Sequence, residues 1–400
     1  MKHNQIATLL NSTAEQSLGI KNPIGNKLVL TDLISLGTTV IDGGQNSKES
    51  FFGTLINRVG KDEVDMISYD SPFAREMIKD SFTYGAYLQS IYVEMPEAED
   101  SEIWNITDGQ TVPQWTVKKP KIKAQIFSSS NVWQFKYTLP DDSTLMESFS
   151  SWENMAAFIS GIAIAQQNAA KVAIENLSVL TMANFIGEKA QYAQPISGES
   201  EADYEYNPHA SNQYVNVLHL YNTETNKTLT IESAKNDAEF WRWFSKKISI
   251  DREQMRTMTQ LFNTKQYNRF TSYDNMKLCM INYADAALQK DLYSTTFHDE
   301  WVKIGGYYTV PYFQGIGDGS FDETTTVNIT TSSGNDITVK NVIAVMYDEK
   351  AMGAMFSGED VKDSVGFDPN TLTTTYFFRR NRGMFNNLTQ NGIVYYMAEV

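Results

Sequence analysis

Four hundred residues with 42% apolar and 12% aromatic side chains hold enough hydrophobic surface for a substantial core, which excludes disorder as the main state. A formal net charge of −15 argues against a chain that grips nucleic-acid phosphates over a wide face; it suits a surface lying near DNA without adhering, and equally any acidic protein. Cys279 is the single cysteine, so an intrachain disulfide and a thiolate metal cluster are excluded and a cytosolic origin is the default.

The opening residues lack the uninterrupted apolar stretch of a signal peptide, and no run of about 18 apolar residues follows anywhere, so no membrane association is expected. Residues 1–50 scatter Gly, Asn, Ser and Thr with weak periodicity and read as a loose arm with a poor core of its own. Ser90 to Glu94 reads as a strand. An excursion from Met95 to Val117 then carries Pro96, the acids Glu97, Glu99, Asp100 and Glu102, and the aromatics Trp104 and Trp115. It returns through Lys121 to Phe127 and through Trp133 to Leu139, where strict alternation places Trp133, Phe135, Tyr137 and Leu139 on one face. Together these residues form a β-rich projection.

Ser150 and Glu153 have capping-box spacing, and the run to about Lys189 contains no proline. Trp152, Met155, Ile159, Ile162, Ala169, Ala173, Leu177 and Leu180 recur at steps of three and four, and Gly187 marks the expected end. Such a helix is ~50 to 55 Å long, which demands support along its length. Its alanine-rich sequence lacks the flanking Glu/Lys pairs of a coiled coil, so packing against a sheet is the expectation.

Beyond a soft stretch to Asn212, Tyr214 to Tyr221 and Lys227 to Ile231 read as a hairpin. Ser233 to Ile250 reads as a helix with Phe240, Trp241, Trp243 and Phe244 in a core, continuing from Arg252 to Asn263. Strands are expected at Lys277 to Ile281, Tyr307 to Phe313, Val342 to Tyr347, Thr373 to Arg379 and Ile393 to Met397. Helices are expected at Ala284 to Thr296 and Glu349 to Phe356. The fold class these elements support is α+β.

Chemistry is sparse. The four histidines, His3, His209, His219 and His298, show no metal-ligand spacing and give a histidine-based triad little to draw on; His219, in an expected strand, reads as ordinary sheet surface or core rather than catalytic. Gly315, Gly317 and Gly319 lack the lysine and the following helix of a phosphate loop, so a turn is the reading; Asp318, Asp322 and Glu323 depart from calcium-loop spacing. No catalytic residue, cofactor or metal is assigned. Arg379, Arg380 and Arg382 beside Phe377 and Phe378 form the dense basic cluster, and in so acidic a chain a protein–protein contact is favoured over nucleic acid.

The order of elements, namely an arm, a β excursion, one long helix, an α+β domain and closing strands, resembles the HK97-type fold of tailed-phage major capsid proteins. Trp104 to Gln110 (WNITDGQ), Glu175 to Leu177, Thr181 to Ile186 (TMANFI), Asn341 to Gly353 (NVIAVMYDEKAMG) and Asn391 to Tyr396 (NGIVYY) are similar to strings in capsid proteins of small short-tailed phages. The resemblance implies an N-terminal arm (1–50), the start of a peripheral domain (51–85), an extended loop (86–148) and a peripheral domain (149–250) with a spine helix (150–190). An axial domain (251–365) and C-terminal strands (366–400) complete it.

It also implies a non-enzymatic virion protein, made in the bacterial host cytoplasm, that self-assembles into an icosahedral shell enclosing double-stranded DNA. The implied partners are identical subunits in hexamers and pentamers, a portal protein, and a scaffolding or head-fibre protein, with packaged DNA nearby but not specifically bound. Candidate inter-subunit contacts are Trp104, Trp115, Arg379, Arg380 and Arg382; the two tryptophans could instead hold their own loop together. A head decoration or adhesin protein is the alternative, and a hydrolase built from carboxylates a third reading.

Overall fold

The computed structural model describes residues 3–25, 29–64, 87–95, 121–128, 131–138, 149–193, 212–293, 306–332, 334–357, 364–368 and 373–399. The helices are α1 (His3–Leu18), α2 (Leu30–Asp42), α3 (Gln45–Val64), α4 (Trp152–Ala193), α5 (Val217–Thr225), α6 (Ile231–Ala234), α7 (Ala238–Arg256), α8 (Asn282–Tyr293) and α9 (Phe321–Thr325). The strands are β1 (Tyr87–Val93), β2 (Ile122–Ser128), β3 (Asn131–Thr138), β4 (Tyr214–Asn216), β5 (Met276–Ile281), β6 (Gly306–Val310), β7 (Val327–Thr330), β8 (Asp336–Val339), β9 (Val342–Asp348), β10 (Met352–Ser357), β11 (Ser364–Asp368), β12 (Thr373–Asn386) and β13 (Gly392–Tyr396). The class is α+β, as expected. Two compact units divide the chain: Met1–Gly85 with Ser130–Leu177 and Ala354–Gly383, and Ala86–Ser129 with Ser178–Gly353 and Met384–Val400.

In the first unit, residues expected as a loose arm form helices with a core. Ile6, Leu10 and Ala14 of α1, Leu33, Leu36 and Val40 of α2, and Phe51, Phe52 and Leu55 of α3 are buried with Phe149, Met155 and Ile159. Their spacing is helical, but the stripes are short and broken by small residues whose purpose is tertiary. A Cβ on Gly37 would stand 2.6 Å from Phe149 Cγ, so the glycine makes room for a ring that is remote in sequence. Phe52 meets Phe51, Phe149 and Phe158 edge to face, with centroids 5.5–6.2 Å apart. β3 pairs antiparallel with β12, setting Tyr137 opposite Tyr376. Trp133, Phe135 and Tyr137 are half-buried while Gln134 and Lys136 are exposed, which is the expected alternation; Leu139 lies outside the described residues.

The long helix is present and longer than expected: α4 has 42 residues, about 63 Å at the standard rise. Its cap is Ser151, whose Oγ accepts from the Asn154 amide at 3.0 Å, one residue beyond the Ser150–Glu153 box; Ser150 Oγ instead accepts from the Asn154 side chain. Gly187 does not end the helix. It lies inside it, and a Cβ there would come within 2.1 Å of Ile329 Cγ2, so the glycine lets β7 approach. Trp152, Met155, Ile159 and Leu177 of the expected stripe are buried, whereas Leu180 is exposed.

The second unit is built on a five-stranded sheet in the order β4-β13-β9-β5-β6, with β4–β13 and β5–β6 parallel and the other pairs antiparallel. Every residue of β9 is buried, because helices cover both faces. On one face Tyr395 packs on Phe244 of α7 and donates to Asp251 at 2.8 Å; on the other, Gly392 leaves room for Phe185 of α4.

Three local expectations fail here. The hairpin expected at 214–231 keeps only β4, because Asn216 accepts from the His219 amide at 3.2 Å and starts α5, and Asn226, at φ +53°, closes it. These caps outweigh the strand propensity of Val215 to Tyr221, and they place His219 on a helix. The helix expected at 349–356 is the strand β10, paired with β12. The helix expected to run to Asn263 stops at Arg256, and a bridge between Thr259 and Arg269 follows.

Candidate assembly surface

The β excursion is not one projection among the described residues: Trp133 to Thr138 lie on β3, paired with β12 in the first unit, while β1 and β2 form a two-stranded antiparallel ribbon in which Ser90 lies opposite Gln125, Ile91 opposite Ala124, Tyr92 opposite Lys123 and Val93 opposite Ile122. Side chains alternate between faces along each strand, and directly paired residues share a face. One face therefore carries Ser90, Tyr92, Lys123, Gln125 and Phe127, and the other Ile91, Val93, Ile122, Ala124 and Ile126.

The first of these faces is seated on its own unit. Tyr92 stacks on Tyr267 with ring centroids 4.0 Å apart and planes within 4°. Lys123 Nζ lies 4.8 Å from the Tyr267 ring and the Arg269 guanidinium 5.3 Å from the Tyr92 ring, so each outer face of the pair meets a cation. Phe127 meets Phe385 at 5.6 Å, and Asn387 Nδ2 donates to Ser90 Oγ at 3.3 Å.

The opposite face is bare. Ile122 is 67%, Ile126 62%, Ile91 57% and Val93 49% exposed. The amphipathic order of a surface ribbon is thus inverted: polar and aromatic groups point inward and β-branched aliphatics point outward. Scattered exposed aliphatics are ordinary, but four along one face of a ribbon form a stripe that solvent disfavours and a partner would cover.

Beneath the seat lies a buried polar chain. Lys189 of α4 is wholly buried; its ammonium donates to Gln213 Oε1 at 2.7 Å and to the Phe262 carbonyl at 3.0 Å. Burial pulls its pKa down to about 7. Gln213 Nε2 donates to the Asn263 carbonyl at 3.0 Å. Asn263 then clamps Tyr267 twice, donating to its carbonyl at 2.8 Å and accepting from its amide at 2.7 Å.

Burial also raises the pKa of two carboxyls, and both are engaged: Asp251 with Lys247 at 2.7 Å and with Tyr395, and Asp348 with the Lys350 amide at 2.9 Å. The Gly315–Gly319 segment is a turn, with Gly317 and Gly319 at φ +54° and +80° and the Ser320 amide donating to Asp318. No group of three His, Cys, Asp or Glu that could hold a metal occurs among the described residues, and no described helix is long and apolar enough to cross a membrane.

The residues singled out from sequence fare unevenly. Trp104 and Trp115 lie outside the described residues. Arg379, Arg380 and Arg382 follow one another along β12, in register with Gln134, Trp133 and Asn131. The Arg382 guanidinium lies 5.2 Å over the Trp133 ring of the same unit. Sequence does not single out the outward face of the ribbon: Ile122, Ala124 and Ile126 alternate with Lys123 and Gln125, which gives two faces but not which of them looks outward.

A model of the family described as Phi29-like phage major capsid protein matches residues 26–396, and the chain belongs to that family. It is a phage major capsid protein, a structural component of the virion. No curated protein matches it by sequence. Among solved structures it is similar to the capsid structure of Staphylococcus phage Andhra, at 10% identity over 80% of this chain and 83% of that one, with a TM-score of 0.47. A chain in the structure of the head fibre and inner core protein of native bacteriophage P68 gives 10% identity, 80% and 83% coverage, and a TM-score of 0.48. The capsid of cyanophage P-SCSP1u gives 11%, 81% and 86%, and 0.44.

Proposed function

We propose that copies of this chain close into an icosahedral, HK97-type shell of hexamers and pentamers, in which the outward face of the β1–β2 ribbon packs on a neighbouring copy. The observation that carries the reading is the stripe of Ile91, Val93, Ile122 and Ile126, exposed on a subunit whose family builds capsids. A second copy is the occupant because a shell built from one major protein offers mostly that protein as neighbour. The contact is heterologous, ribbon on a different surface, and such contacts close into rings and shells.

Covering the exposed parts of four aliphatic side chains contributes about 4 kcal/mol per ribbon. That is weak alone, and closure multiplies it over many copies. The excess negative charge fits a wall that lies beside packaged double-stranded DNA without gripping it. Trp104, Trp115, Arg379, Arg380 and Arg382 belong to the same reading as further inter-subunit contacts, and a portal and a scaffolding or head-fibre protein as accessory partners. Action by assembly, with no catalytic step, completes it. Family membership selects the shell subunit over a decoration or adhesin protein. Electron microscopy of the purified chain is expected to show closed shells or hexameric and pentameric rings. Stable monomers or trimers that bind only a preformed head would overturn the reading.

A further inference from the structure

The ribbon's seat is a strained loop with an unusual amount of support. Between Asn263 and Tyr267, Gln266 holds φ at +53°, a left-handed conformation that costs a residue with a side chain about 1 kcal/mol or more and persists only where its surroundings impose it. Asn263 imposes it, binding both backbone groups of Tyr267 with its side-chain amide. Its own carbonyl is fixed by Gln213, which Lys189 of α4 fixes in turn. The loop is rooted in the core at Phe262 and Asn263, both buried, and what it carries outward is the Tyr267 ring under Tyr92.

The Arg269 guanidinium, beside the Tyr92 ring, also donates to Gln390 Oε1 at 3.0 Å. Gln125 Oε1 on the ribbon and Arg269 Nε on the seat are buried polar atoms without a hydrogen-bond partner, each at a cost of about 1–3 kcal/mol. The ribbon is held on its seat by the Tyr92–Tyr267 stack, the Phe127–Phe385 contact and the Asn387–Ser90 hydrogen bond.

We infer that Asn263, through the Lys189–Gln213–Asn263–Tyr267 chain, is a positioning residue for assembly: it fixes the angle at which the ribbon presents its aliphatic face. The inference rests on the assembly role proposed above for that face, and names the device that aims it. The test compares full-length wild type with Asn263→Ala, Tyr92→Ala and Tyr92→Phe by hydrogen exchange of unassembled subunits and by shell yield. Asn263→Ala and Tyr92→Ala are expected to speed exchange of the β1 and β2 amides about tenfold, leave β5 and β9 amides unchanged and lower shell yield by a similar factor. Tyr92→Phe, which keeps the stack, is expected to match wild type in both readouts.

Tyr92→Ala alters only the ribbon side, so it decides the matter if Asn263→Ala fails to fold. Ribbon exchange unchanged in the alanine variants would overturn the inference, as would faster ribbon exchange with full shell yield. Failure of the underlying assembly reading shows separately, as normal shells from a subunit whose aliphatic face has been charged.

Discussion

Ile122→Glu combined with Ile126→Glu is expected to abolish shell formation while leaving the subunit folded. Both side chains are more than three-fifths exposed and stand on the ribbon face opposite Tyr267, so neither contributes to the core of its own unit. In the isolated subunit the carboxylates remain in water, and thermal unfolding should move by no more than a degree or two. In a shell they would be carried under a neighbour with no cation provided for them, at a cost of several kcal/mol each. That exceeds the roughly 4 kcal/mol the aliphatic face contributes. Sedimentation velocity with electron microscopy reads the outcome, and wild-type shell yield from the double variant would remove the ribbon face from the interface.

The second large effect is a pH dependence. Lys189 is buried among the Gln213 amide, the Phe262 carbonyl and the Phe185 ring, with no anionic hydrogen-bond partner among the described residues, and burial lowers its pKa to about 7. Unfolded, the same amine titrates near 10.4. Between those values the unfolded chain holds a proton that the native chain does not, so native stability rises with pH across the window. Above the window both states are neutral and below it both are charged, and the slope vanishes.

Its maximum is about 1.4 kcal/mol per pH unit. Lys189→Met removes that contribution. Urea unfolding at pH 7.5 and 9.5 should therefore show wild type gaining about 2 to 3 kcal/mol on the methionine variant as pH rises. The buried Cys279 and Tyr308 titrate from pKa values raised by burial and oppose the trend, but they are common to both proteins and cancel in the difference. Equal pH slopes would mean that the amine keeps its proton in the fold.

What the sequence discloses is what local pattern decides. A proline-free run with apolar residues at helical spacing reads as α4, and Val342 to Tyr347, apolar throughout, reads as the covered strand β9. The two strands of the ribbon are equally plain. Elements that depend on distant partners are not. The stripes of α1 to α3 are short, and Gly37 looks like a breaker until Phe149 is known to fill its place. β10 becomes a strand because it pairs with β12, and α5 a helix because two asparagines cap it.

The candidate site follows the same division. Tryptophans and arginines draw attention by composition, whereas the seat that orients the ribbon joins Tyr92 to Tyr267 and Arg269, residues with no local signal linking them. Alternation along Ile122 to Ile126 reveals two faces; only the stacked tyrosines reveal which is inward.

Electron cryomicroscopy of assembled shells, resolved at the β1–β2 ribbon, tests the central claim most directly. Ile91, Val93, Ile122 and Ile126 are expected in van der Waals contact with a neighbouring copy, all four withdrawn from solvent. A closed shell in which those side chains still face open water would contradict the account.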